Sequence, residues 1–235
     1  MDVAGAGDML ITPVLELGPV AITGTIVTSW AITAAIGVLA WLLAQRLRIN
    51  PGLLQTALEG MVSAMEDAVR AVAPAHASQL TPFIGSLWVF LVVANLSGLI
   101  PGVHSPTRDL SATAALAFLV FLSVHWYGIR IQGLKTYLRH YLTPSPIMLP
   151  FHLISEITRT IALAVRLFGN MMCLEMAALL ILLVAGVLAP VPILMLHIIE
   201  ALVQAYIFGM LALIYFAGGI QSLQSRQQRQ GATHD

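Results

Sequence analysis

Charge is what this sequence has least of: Asp, Glu, Lys and Arg together make up 9% of its 235 residues, against roughly 25% in an average soluble domain. A chain this poor in charge cannot cover a water-facing surface, which excludes a conventional soluble protein. Formal net charge is zero, so no excess of either sign recruits nucleic acid or an acidic partner, and no nucleic-acid partner is expected. Cysteine occurs once, as Cys173 inside an apolar run. A single thiol forms neither an intrachain disulfide nor a cysteine metal cluster. The sequence contains no GxxxxGK phosphate loop, no HExxH and no CxxC, so nucleotide and zinc chemistry are unsupported and no cofactor or metal is expected. Should the chain serve an enzyme, another chain carries the covalent chemistry. Residues 1–20 hold Asp2, Asp8 and Glu16 but no Lys or Arg. They lack the positive start of a cleaved leader and are expected to be a mature outer-side segment. No internal repeat is visible, which weighs against a transporter built from duplicated halves.

What is present is hydrophobic sequence, 58% of positions, arranged in long runs. Residues 21–44 carry no charge and are long enough to cross a hydrocarbon core of ~30 Å. Arg46 and Arg48 close that span and Pro51 starts the next element. Over 51–72, Leu54, Leu58, Met61, Met65, Ala68 and Val72 recur at three- and four-residue spacing, with Glu59, Glu66, Asp67 and Arg70 between them. This predicts an amphipathic helix lying on the membrane surface or against a partner. Uncharged stretches at 82–100 and 110–129 flank a short polar loop, Pro101 to Asp109, and predict a spanning hairpin. A basic linker follows, with Lys135, Arg139 and His140 ahead of Pro144, Pro146 and Pro150. Proline is then absent from 151–189 and from 193–225, with Pro190 and Pro192 marking a reversal. Two very long helices are expected there, tilted steeply or bent near Gly186. The polar tail 226–235 is expected to fray. The predicted class is therefore an all-α membrane protein, with about five membrane helices, one amphipathic surface helix, and a single integral membrane domain over 21–225.

Under this layout Arg46, Arg48, Arg70, Arg130, Lys135, Arg139, Arg226 and Arg229 share one face, and Arg108 alone takes the other. The positive-inside rule then places the amino terminus outside and the carboxyl terminus in the cytoplasm. The last two helices also carry Glu156, Arg159, Arg166, Glu175, His197 and Glu200. A central Arg or Asp costs about 2.5–3.5 kcal/mol on insertion scales, so such residues need a reason to be there. Near a helix end, Arg159 and Glu156 are as readily snorkelling or internally paired groups as functional ones. Arg166 is flanked by apolar residues for several turns on its carboxyl side. Arg159, Arg166 and Asn170 fall on one helical face, whereas Glu175 lies nine residues beyond Arg166 and faces away, excluding an intrahelical salt bridge between them. His197, Glu200 and Gln204 form a polar stripe that suggests water or ion access.

The run Arg166-Leu167-Phe168-Gly169-Asn170 followed by Glu175, and His197 followed by Gln204-Ala205-Tyr206-Ile207-Phe208, resemble the core motifs of the F-type ATP synthase subunit a family. Pro51 to Gln55, the run Trp88 to Leu91 with Asn95, and the final helical pair extend the likeness over nearly the whole chain. The resemblance implies a stator with two offset half-channels, which carry H⁺ or Na⁺ to and from the carboxylates of a rotating ring of proteolipid c subunits. It implies further partners in the peripheral-stalk b subunits and the remaining ATP synthase, and a place in the bacterial inner membrane with the long hairpin against the ring. On that likeness Arg166 is the essential rotor-facing arginine, and Asn170 and Gln204 are its polar neighbours. Glu175 and His197 match the acid and histidine of the outer half-channel, and Asp109 an acid near its mouth. Glu156 and Arg159 resemble polar residues of the cytoplasmic half-channel. The sequence departs from the family pattern at Glu200, Leu174, Ala162 and Ser111. From the residues themselves, Glu200 joins Glu175 and His197 as an expected outer relay. Two rival classes remain: a self-contained ion transporter or channel, and a structural scaffold whose buried charges only pair with one another. Pairing Arg166 with Gln204, or Glu175 with His197, centres the hairpin near 185, whereas the prolines centre it near 191.

Overall fold

The computed structural model describes residues 13–17, 20–45, 52–100, 105–133, 148–186, 189 and 191–231. The basic linker with Lys135, Arg139, His140, Pro144 and Pro146 lies outside these residues, as do Arg46, Arg48 and Pro51. The membrane part is helical, as the sequence predicts. Inside a bilayer a backbone without water must satisfy its own hydrogen bonds, and a helix does so within one segment. The helices are α1 (Gly24–Gln45), α2 (Leu53–Val72), α3 (Ala77–Ser97), α4 (Leu110–Gln132), α5 (Met148–Ala185) and α6 (Val191–Gly231). All except α2 are long and apolar enough to cross a membrane. One addition precedes them, an antiparallel ribbon of β1 (Pro13–Leu17) and β2 (Val20–Thr23).

Helix ends follow local chemistry. Asp109 caps α4, its carboxylate accepting from Ser111 N at 2.9 Å, while Gly133, with φ +82°, closes the other end. The end of α5 differs from the proline-based expectation. The helix stops at Ala185 because Gly186 adopts φ +82°, a left-handed conformation that only glycine enters without steric cost. Pro192 instead sits in the first turn of α6, where its missing N–H costs nothing. The polar tail expected to fray continues α6 as far as Gly231, in keeping with the good helix propensity of Gln and Arg.

Helix α3 is central and packs against α1, α2 and α6, while α4 lies against α5 and α6. Lipid offers apolar side chains as good a solvent as a protein core does, so close approach of backbones at small residues must supply the association. Ala201, Ala205 and Gly209 form such a stripe on α6, all buried. Over it lies Trp88 of α3, its ring 6.1 Å from that of Tyr206 and its Nε1 donating to Tyr206 O at 3.4 Å. A Cβ on Gly209 would overlap the Trp88 indole. Nearer the other end Phe83, Tyr127 and Phe216 interlock α3, α4 and α6, with ring centroids 5.7–6.1 Å apart.

The amphipathic helix α2 is only half used by this bundle. Val69 is buried and Met65, Ala68 and Val72 pack beside it, yet Leu53 and Leu54 are exposed. That leaves the first turns of its apolar stripe for lipid or another subunit. Overpacking typically costs about 1–3 kcal/mol, so Gly209→Ala is expected to lower the unfolding midpoint of the detergent-solubilised chain, with partial recovery in Gly209→Ala/Trp88→Leu. An unchanged midpoint for the single variant would remove the indole contact as the determinant of the α3–α6 approach.

Candidate functional site

Arg166 lies on α5 between Val165, which is exposed, and Leu167, which is fully buried. Its side chain is on the exposed side, and no described residue forms an ion pair or hydrogen bond with it. One turn later Asn170 turns inward and donates from Nδ2 to Gln204 Oε1 on α6 at 2.7 Å. Gln204 is buried. The pair centres the hairpin on residue 187, between the two values the sequence allows, because Gly186 ends α5 early. The α5–α6 register is thus set by an amide–amide bond beside Arg166.

Beyond Asn170, toward the α5–α6 turn, Glu175 Oε1 accepts from Arg108 Nη1 at 2.6 Å, with side-chain exposures of 20% and 21%. Arg108 ends a 3-10 turn, Pro106–Arg108, between α3 and α4. His197 is buried on α6 beside the end of α3, its Cε1 3.9 Å from the position a Cβ on Gly98 would take. Asn95 of α3 donates to Ala201 O at 3.2 Å. Its Oδ1, His197 Nε2 and Gln204 Nε2 are buried without partners. Since Ala201 lies between His197 and Gln204, the three atoms follow one α3–α6 seam, the polar setting in which buried water is usually found. Glu200 sits at the flank of this seam, half-buried.

At the other end of α5, Arg159 lies over the Tyr215 ring, 4.5 Å from its centroid, an arrangement that offsets part of the cost of a cation away from bulk water. Glu156, Arg159, Thr160 and Tyr215 line a cleft of about 10 Å³, closed on its far side by α4, roughly the space of one water. Along the axis Arg159 is ~10 Å and Glu175 ~13 Å from Arg166, on opposite sides of it. Two polar clusters therefore stand at opposite ends of the helical pair, with the partnerless guanidinium between them.

The ATP synthase A chain family matches residues 26–217. The chain is 65% identical to ATP synthase subunit a 2 of Pelobacter propionicus over 212 residues, 90% of this chain and 93% of that protein. It is 64% identical to ATP synthase subunit a 1 of Hahella chejuensis, with 91% and 92% covered, and 41% identical to ATP synthase subunit a of Nitrosospira multiformis, with 86% and 81% covered. The chain belongs to the ATP synthase A chain family.

The structure bonds Gln204 to Asn170 rather than to Arg166, and no hydrogen bond or ion pair joins His197 to Glu175 or Glu200. Asp109 serves as a helix cap, accepting also from Ser111 Oγ at 2.8 Å. Sequence reasoning did not assign roles to Arg108, Asn95 and Tyr215. The solitary position of Arg108, opposite the other basic residues in the layout expected from sequence, was the one available signal for the first, while the other two need the helix packing to be known. Double-mutant analysis of Asn170→Ala and Gln204→Ala in the A chain is expected to give non-additive losses of thermal stability, with a coupling of about 0.5–1.5 kcal/mol. Strict additivity would remove the amide bond as the register lock.

Proposed function

We propose that the chain works as the stator of a bacterial F-type ATP synthase, exchanging ions with the carboxylates of a proteolipid c ring through two offset half-channels. The carrying observation is Arg166, a permanent charge on the exposed side of an apolar helix and without a partner among the described residues. A charge so placed is costly, and a rotor carboxylate passing in front of it compensates that cost. The guanidinium favours the ionised carboxylate, which releases its ion on approach. It also stays charged at any physiological pH, which blocks ion passage between the half-channels.

The outer path runs by Glu175, His197 and Glu200 to the Asn170–Gln204 pair, with Asp109 near its mouth; the cytoplasmic path runs by Glu156 and Arg159. Residues 21–225 act as one integral membrane domain in the inner membrane, residues 1–20 outside and 226–235 in the cytoplasm. Peripheral-stalk b subunits are further partners, and the exposed start of α2 offers them an apolar surface. The chain performs no bond-breaking step by itself.

In vesicles holding the assembled complex, Arg166→Ala is expected to abolish ATP-driven ion uptake while passive leak persists or rises. Arg166→Lys is expected to fail as well, because an ammonium is a compact point charge that can lose its proton when desolvated. Normal coupled uptake by Arg166→Ala would sink the mechanism. Orientation is checked separately in a Cys173→Ser background: a cysteine at Leu110, which is exposed, should label from outside, and one at Met61, also exposed, only from the cytoplasm. The reverse pattern would exchange the two half-channels.

A further inference from the structure

Arg108 is held on a fixed base. Ser105 and Thr107 are buried, Ser105 Oγ lies 2.8 Å from Ala94 O and 2.7 Å from Thr107 Oγ1, and Arg108 N donates to Ser105 O at 3.1 Å. The adjacent Asp109 spends its Oδ1 on the first turn of α4. The guanidinium therefore reaches past the nearest acid to one 67 positions away in sequence. As a structural tie the pair joins the Pro106–Arg108 turn to α5, both side chains part-buried. Its location gives it a different use, since Glu175 is the carboxylate that an ion entering the proposed outer half-channel would meet.

We propose that Arg108 is a positioning residue acting through Glu175, its guanidinium competing with the coupling cation for that carboxylate. The pair is a latch on the outer path. An arriving H⁺ or Na⁺ takes a Glu175 oxygen as the guanidinium loosens, moves on toward the α3–α6 seam, and the pair re-forms. Arg108 keeps its proton throughout, so the step exchanges one cation for another at a single carboxylate. Among the described residues, other charged or titratable groups at this end of the bundle include Asp109 on the same loop, Cys173 on α5, and His197 and Glu200 on α6, and none of these is bonded to Arg108. The latch thereby sets the outer ion concentration at which the membrane sector half-saturates. This inference rests on the half-channel reading above.

The test is ATP synthesis by proteoliposomes containing the whole complex, driven by an imposed gradient. On the membrane side opposite the catalytic head, Na⁺ is titrated at fixed pH and then pH at fixed Na⁺. Arg108→Met is expected to lower the half-saturating concentration of the driving ion by about tenfold or more, the reach of one nearby opposite charge, with a smaller change in maximal rate. Arg108→Lys should stay near the wild-type value. In a Glu175→Gln background the Arg108→Met change should have no further effect. Should Arg108→Met not assemble, Arg108→Gln carries the same measurement. An unchanged half-saturation, equal shifts for Met and Lys, or a shift that persists without the Glu175 carboxylate would each overturn the latch. Failure of the stator reading is distinct: Arg166→Ala would then retain coupled transport, whatever Arg108 does.

Discussion

The approach of α3 to α6 at the Trp88–Gly209 contact is the constraint on which the rest of the bundle depends. A flat indole lying where a side chain is missing fixes both separation and rotation of the two helices, since a shift of either would collide with backbone or open a gap. With α6 held there, His197, Ala201 and Gln204 must face α3. Gln204 then meets Asn170, and that bond rotates α5 until Arg166 lies on its exposed side. A glycine far from any charge thus decides where the guanidinium points.

The polar groups divide by the cost of their burial. Amides and an imidazole occupy the inner seam, where neutral groups can be satisfied by one bond each and by water. Full charges stay near the ends or on the outside. Arg159 is covered by a ring and Arg108 by a carboxylate, whereas Arg166, well inside α5, has no partner among the described residues. That uncompensated charge is the basis of the proposal that Arg166 faces a rotor carboxylate.

The helices were legible because uncharged runs of twenty or more residues have few other solutions in a bilayer. Their ends were less so. Pro190 and Pro192 marked the reversal and Gly186 only a bend, although a glycine free to adopt positive φ stops a helix and a proline in the first turn does not. The short ribbon at 13–23 gave no readable alternation and was missed. Among site residues, those within one helix were sortable by spacing, which correctly separated Glu175 from Arg166. Pairs between elements were harder: resemblance made Asn170 and Gln204 neighbours of Arg166 without pairing them, and Arg108 with Glu175 joins a loop to a helix across a distance in sequence that no periodicity reports.

The apolar part of α5, Leu153–Ala185, counts 33 residues, about 50 Å of helix for a hydrocarbon core of ~30 Å. A straight helix fits only if it runs obliquely, by about 50° on those lengths. On such an incline, depth in the membrane and position along the membrane plane are the same coordinate. A group moving in that plane at one depth therefore meets only the short stretch of α5 that lies there, so each residue of this helix is reached at its own depth. An insertion of a single residue between Arg159 and Arg166 would alter the depth at which one of them stands relative to the other as well as which way each side chain faces.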